Sequence, residues 1–561
     1  MTAIYYHPEA YETSGPRLMG RNAAGDSFLR GFFSYSTNRS IFYTQVATDS
    51  HANKFAETAR AYGRTEEVKS FINRNLGVAS EAGNVFHPGP TISEHAYHRR
   101  LLGEQNWGLC GITHTTSSIG AMDAISSWIT APVQSWDAVI CTSTAVKKNV
   151  EAILQAQIDE LKTRLGITKL ILPQLPVIPL GIHTDDFSYN EGQRATARAQ
   201  INADCETLVV VYMGRLSFHA KAHPLAMYQA LEAAAQITGK KIMLVECGWH
   251  ANEYIEQAFS VAEQLASPSV TAVTLDGRMA ENRQIAWASA DVFCSLSDNI
   301  QETFGIVPIE AMAAGLPVVV SDWDGYKDTV RDGVDGFRIP TMAPKPGLAG
   351  DLAYRHALEI DTYDMYCGHS SSLVAIHAQK LTQAFIELFQ SPELRKKMGE
   401  AGRLRAAQDL DWRTIIPRYE ELWDEQTEIR LAAKKAREES AKKSGKPLTP
   451  SVWPARLDPT IGFANYPTQH LTLATELVLT KPSAEEAMLK LGKYKELAMV
   501  NYAHFVFPTH EEVLSVFEVA EKNYPDSCSA EELIIGVTPQ RRPYVLRGLA
   551  WLCKLGLLQF S

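Results

Sequence analysis

The sequence lacks paired cysteine motifs. Its eight cysteines are Cys110, Cys141, Cys205, Cys247, Cys294, Cys367, Cys528 and Cys553, and none forms a CxxC pair. Several lie inside apolar runs such as Val139-Ile140-Cys141 and Val292-Phe293-Cys294. Such cysteines act as small core residues, so neither a disulfide framework nor a cysteine-held zinc is expected. Long apolar runs are also missing, with none near the ~18 residues of a membrane span. The start, Met-Thr-Ala-Ile-Tyr-Tyr-His-Pro, shows no basic segment followed by an apolar core, so no secretory signal is expected. A cytoplasmic protein is the expectation. Positive charge is scarce too, with 54 Lys+Arg against 64 Asp+Glu and a net charge of −10 over 561 residues. A general nucleic-acid binder would show the opposite balance. A small phosphorylated ligand stays open, because it needs only a few local cations.

What is present is ordinary globular composition, 45% hydrophobic and 21% charged. At about 150 residues per domain, the length suggests three or four domains. Short apolar runs alternate with amphipathic stretches. Ser40 to Thr44, Trp107 to His114 and Asp137 to Cys141 read as buried strands, and Ala145 to Leu161 has helical spacing. From residue 200 the same grammar repeats. Leu208 to Met213, Lys241 to Val245, Ser269 to Leu275, Asp291 to Leu296 and Pro317 to Ser321 predict strands. Leu225 to Ala235, Asn282 to Ala290 and Gly305 to Ala314 predict helices. This is the pattern of parallel α/β domains. Residues 341–374, with Pro344, Pro346, Gly347, Gly350 and Cys367 to Ser372, read as an irregular insertion. Arg430 to Lys446 reads as a solvated charged helix running into a linker.

The chemistry concentrates at two places. Glu302-Thr303-Phe304-Gly305-Ile306-Val307-Pro308-Ile309-Glu310 joins a strand end to a helix start, where parallel sheets bind ligands. The free N–H groups at Phe304, Gly305, Ile306 and Val307 suit an anion. Glu302 and Glu310 would be repelled by a diphosphate but suit sugar and ribose hydroxyls. Gly214-Arg215-Leu216-Ser217-Phe218-His219-Ala220-Lys221 follows the Leu208–Met213 run. Arg215 and Lys221 are suited to hold a diphosphate and to stabilise it as it departs.

Glu302 and Glu310 match the E-x7-E motif of retaining GT-B glycosyltransferases, and the chain most resembles glycosyltransferase family 4. Glu310 to Val319, Gly214-Arg215-Leu216, Val177 to Ile182 and Cys141 to Lys148 look like the same family. Asp411 to Trp423 resembles its closing helix. The resemblance covers roughly residues 1–425 and is weakest over 1–130. It implies an α/β GT-B fold with two facing Rossmann-like domains, an acceptor side at 1–195 and a donor side at 196–425. A charged helix or linker at 426–455 and an accessory domain at 456–561 would follow. It implies catalytic roles for Glu302, His114, Arg215 and Lys221, and donor contacts from Gly15, Gly20, Arg278, Phe304, Gly305, Ile306, Val307 and Glu310. The Arg215-to-Lys221 gap is one residue longer than usual, and the glycine loop Thr13 to Gly20 lacks the usual Gly-Gly pair. The resemblance further implies no metal and no cofactor, a nucleotide-sugar donor with UDP favoured, and front-face substitution at a hydroxyl acceptor. Asp322-Trp323-Asp324 reads as a post-strand turn.

The tail, 456–561, has three predicted helices, Glu511 to Asn523, one capped by Ser529, and Pro543 to Lys554. Their order resembles a winged-helix module. Ten Lys+Arg against twelve Asp+Glu give it a net charge of −2, which disfavours DNA and favours protein interaction or homo-oligomerisation. Lys434, Lys435, Arg437, Lys442 and Lys443 leave peripheral membrane contact open. The rival to an enzyme is a sensor or scaffold that keeps a glycosyltransferase-like body and binds partners or DNA through the tail.

Overall fold

A computed structural model describes residues 1–12, 20–37, 40–444 and 452–560. The chain divides into two compact units, Met1–Trp453 and Pro454–Ser561.

The first unit holds two six-stranded sheets. In the first lobe β1 is Thr2–Tyr6, β2 Ile41–Val46, β3 Glu67–Phe71, β4 Asn84–Phe86, β5 Gly108–Thr113 and β6 Ala138–Cys141. They lie in the order β3-β2-β1-β4-β5-β6, every pair parallel. The second lobe carries β7 Leu208–Met213, β8 Ile242–Gly248, β9 Thr271–Asp276, β10 Val292–Ser295, β11 Val318–Ser321 and β12 Gly336–Ile339. Their order, β12-β11-β10-β7-β8-β9, again all parallel, repeats the first. Both are doubly wound sheets that reverse beside the first strand of each lobe, which is where such sheets bind ligands. The expected two Rossmann-like lobes are therefore present. β7, β10 and β11 are buried throughout, as continuous apolar runs in a covered parallel sheet should be.

Local chemistry sets the helices. Helix Thr144–Leu165 is capped by Ser143, whose Oγ accepts from Val146 N at 3.1 Å, and it ends at Gly166 in the left-handed region. Its buried face runs Val146, Val150, Leu154, Ile158 and Leu161.

The reading needs correction at three places. The boundary drawn at 195/196 falls inside helix Glu191–Gln200. That helix is bound to the second lobe by Arg194 and Arg198, which both pair with Asp291. The solvated helix expected from Arg430 belongs, as far as Ser444, to one continuous helix, Trp412–Ser444. Its Gln426 and Arg430 are buried against the first lobe, donating to Leu109 O and Gln105 O at 2.9 Å. Long polar side chains with buried backbone acceptors do not register in an apolar-periodicity reading. The insertion over 341–374 is not irregular throughout. An antiparallel pair, Thr341–Met342 with Ala375–Ile376, frames helices Gly350–Ala357 and Tyr363–Ser371. Only the Pro-rich start fits the irregular description.

The second unit has its own core of helices Ala484–Lys495, His510–Asn523 and Arg542–Lys554. A three-stranded antiparallel sheet places Glu476–Leu479 between Cys528–Ser529 and Leu558–Phe560. The central strand thus precedes the helices in the chain. Ser529 caps Ala530–Leu533 in a reciprocal capping box. Arg541 forks onto Glu512 at 2.7 and 3.0 Å, and Arg542 donates to Val537 O and Ile535 O. Both arginines therefore serve packing within the unit. No helix among the described residues is long and apolar enough to cross a membrane.

Candidate functional site

The candidate site lies at the C-terminal ends of β7 and β10, beside the reversal point of the second sheet. Residues 297–305 lead from β10 to helix Ile306–Ala313. Gly305 caps that helix at φ +83°, and a Cβ there would overlap the Tyr326 ring. Only glycine satisfies both conditions. By helix geometry the N–H groups of Ile306 and Val307 have no acceptor inside the helix and face the loop.

Glu302 retains 11% side-chain exposure and meets Lys221 Nζ at 2.6 Å. Burial alone would raise its pKa. Lys221, together with the Thr303 and Phe304 N–H groups, reverses this and holds the carboxyl below its ordinary value. Arg215 Nη2 donates to Ala220 O at 2.7 Å and to Gln301 Oε1 at 3.0 Å. Glu310 stands one helix turn inside, and burial pushes it up to about 7 against the pull of Arg283. Tyr189 lies beside it, its phenol pushed up to about 12 by burial and then by the Glu310 charge.

The first lobe closes one side. Thr303 Oγ1 donates to His114 O at 3.1 Å, and Thr142 Oγ1 to Thr303 O at 3.4 Å. Ser143 Oγ donates to Asp324 Oδ1 at 3.1 Å. Burial and then the Glu302 charge push Asp324 up to about 7. Asp328 Oδ2 accepts from Thr144 N at 2.6 Å, so an acid meets the positive end of helix Thr144–Leu165. Cations, a helix start, two carboxyls and backbone donors therefore gather at the C-terminal end of the second sheet, as an anionic, hydroxyl-rich ligand requires.

The family model described as Glycosyl transferases group 1 matches residues 193–345, the span that carries this site. Alpha-maltose-1-phosphate synthase of Mycolicibacterium smegmatis is 23% identical over 367 residues, 62% of this chain and 81% of that protein. D-inositol 3-phosphate glycosyltransferase of Nocardia farcinica is 27% identical, over 30% of this chain and 36% of its own length. Phosphatidyl-myo-inositol mannosyltransferase of Mycobacterium leprae is 54% identical, but over only 10% of this chain and 14% of its length. Anabaena HepE, crystallised with UDP and glucose, superposes with a TM-score of 0.47 at 14% identity, covering 75% of this chain and 98% of HepE. The chain is an enzyme of the glycosyl-transferring class.

Within and around the matched span, the structure brings together Glu302, Lys221, Arg215, the His114 backbone carbonyl and the Phe304–Val307 backbone. Glu310 lies deeper along the same helix. Arg278 does not join them. It is 63% exposed and forks onto Asp276 of its own turn at 2.8 and 2.9 Å. Two residues of separation and a flexible stem favour that local pair. Arg283 faces Glu310 instead and donates to Gly277 O at 2.8 Å. Gly20 opens helix Gly20–Tyr35, and Gly15 lies outside the described residues. Sequence reading missed Gln301, Arg283 and Tyr363, and read Asp324 only as part of the turn in which it does lie. Gln301 adjoins the glutamate motif and Arg283 lies at the start of the predicted helix Asn282 to Ala290, so proximity was a usable signal for both. Nothing local marks Tyr363.

Proposed function

We propose that the enzyme moves a sugar from a nucleotide-diphosphate sugar, with UDP favoured, to a hydroxyl acceptor, retaining the anomeric configuration and using no bound metal. The Glu302–Lys221 pair beside the open helix start carries this reading. A donor would exchange that bond for two others. Lys221 would turn to the diphosphate and Glu302 would accept from a sugar hydroxyl. Arg215, Lys221 and the Ile306 and Val307 N–H groups would stabilise the departing charge, the cationic task that a metal performs elsewhere. Glu310 would accept from the ribose. The diphosphate oxygen leaving the anomeric carbon would take the acceptor's proton on the same face. The resemblance supplies this front-face route, and the clustered cations support it.

The acceptor is a glycan, a lipid-linked hydroxyl or a small molecule. The second unit would serve protein interaction or homo-oligomerisation through its winged-helix-like fold. Its inward-used arginines support that role over DNA binding.

A thermal-shift series with UDP, GDP and ADP, followed by turnover of matching sugar donors under proton NMR, tests the reading. UDP should give the largest stabilisation, and an α-linked donor an α-linked product. A β-linked product would refute retention. No stabilisation by any diphosphate, together with no donor turnover, would refute the donor assignment.

A further inference from the structure

The segment between the two short strands at 341–342 and 375–376 reaches the site. Thr362 starts helix Tyr363–Ser371 by accepting from Met365 N. At Gly368 this helix lies flat on the loop that carries Lys221. An added Cβ would stand 2.8 Å from His219 Cβ and 3.2 Å from His219 O. So seated, the helix brings the Tyr363 hydroxyl 2.8 Å from Ser117 Oγ and 3.4 Å from Thr115 Oγ1. Both partners belong to the first-lobe segment directly after His114.

The loop under Gly368 also holds Arg215, whose Nη2 donates to Ala220 O, next to His219, at 2.7 Å and to Gln301 Oε1 at 3.0 Å. Both Arg215 side-chain hydrogen bonds among the described residues use Nη2. The other N–H groups of the guanidinium are left to an anion, and the second anchor fixes its plane.

We infer that Tyr363 is a positioning residue that, by seating its helix on the His219–Ala220 loop, fixes Arg215 and, through Ser117, makes that placement depend on the first lobe. This role rests on Arg215 meeting the donor diphosphate, as proposed above.

Tyr363→Phe, Ser117→Ala and the double variant of the full chain test it, with kcat, donor KM and melting temperature measured for each. Each single change should lower kcat about tenfold with donor KM and melting temperature nearly unchanged, the size expected when a catalytic group is loosened but not removed. The double variant should be no slower than Tyr363→Phe, because both break one contact. Full kcat in Tyr363→Phe, multiplicative losses in the double variant, or a melting loss without a kcat loss would each overturn the role. Arg215→Ala separates the two levels. If it leaves transfer intact, the donor reading fails. If it abolishes transfer while Tyr363→Phe matches the parent, the positioning role alone fails.

Discussion

Gly305 and Glu310 show how single residues commit the site. A methyl group at Gly305 meets the Tyr326 ring and forces an L-residue to a φ of +83°. Gly305→Ala should therefore shift the helix start, cost on the order of 2 kcal/mol and weaken nucleotide binding, as titration calorimetry and thermal melts would show. Unchanged binding in that variant would separate the helix start from the donor. Glu310 gives a pH test. Its pKa is raised by burial from 4.5 to about 7. The folded chain therefore keeps a proton that the unfolded chain releases in that window. Stability falls as pH rises from about 4.5 to 7, and the loss is complete above 7. Glu310→Gln should melt higher than the parent at pH 8 and show no such gain at pH 4.5. Equal differences at the two pH values would contradict the buried carboxyl.

At the scale of elements, helix Trp412–Ser444 ties the second lobe back to the first. Trp412 is fully buried, and its Nε1 donates to Ser27 Oγ at 2.8 Å. Trp412→Ala should cost about 3–5 kcal/mol, read as a fall in denaturation midpoint, and a cost below 1 kcal/mol would mean that the helix end packs loosely. Much of this architecture was legible in the sequence. β7, β10 and β11 are apolar runs bounded by turns, and Glu302 to Glu310 advertises a strand-to-helix junction. β3 was not legible, because Glu67-Val68-Lys69-Ser70-Phe71 is an exposed edge with polar residues on it. β4 has three residues, too few for a period. Helix Tyr363–Ser371 hides in Gly, Ser and Cys, and only tertiary seating against His219 explains it. The motif residues of the site were readable because their spacing is local. Arg215–Gln301, Glu310–Arg283 and Tyr363–Ser117 were not, since chain reversals create those pairs. Arg278 misled because a local partner, Asp276, competes for it.

At the scale of the molecule, every described residue assigned to the donor site lies in Met1–Trp453, and the second unit closes its own core around Val513, Phe517, Leu549 and Leu552. A chain ending at Trp453 should fold and bind the same nucleotide with unchanged affinity in titration calorimetry, and loss of binding would give residues 454–561 a part in the donor site. The catalytic claim rests on Glu302. Release of nucleoside diphosphate from the matched sugar donor should be followed for the parent and for Glu302→Gln, with nucleotide affinity measured on both. The variant should bind nucleotide as the parent does and release product at least about 100-fold more slowly. Parental turnover in Glu302→Gln would contradict the assignment of this glutamate to sugar transfer.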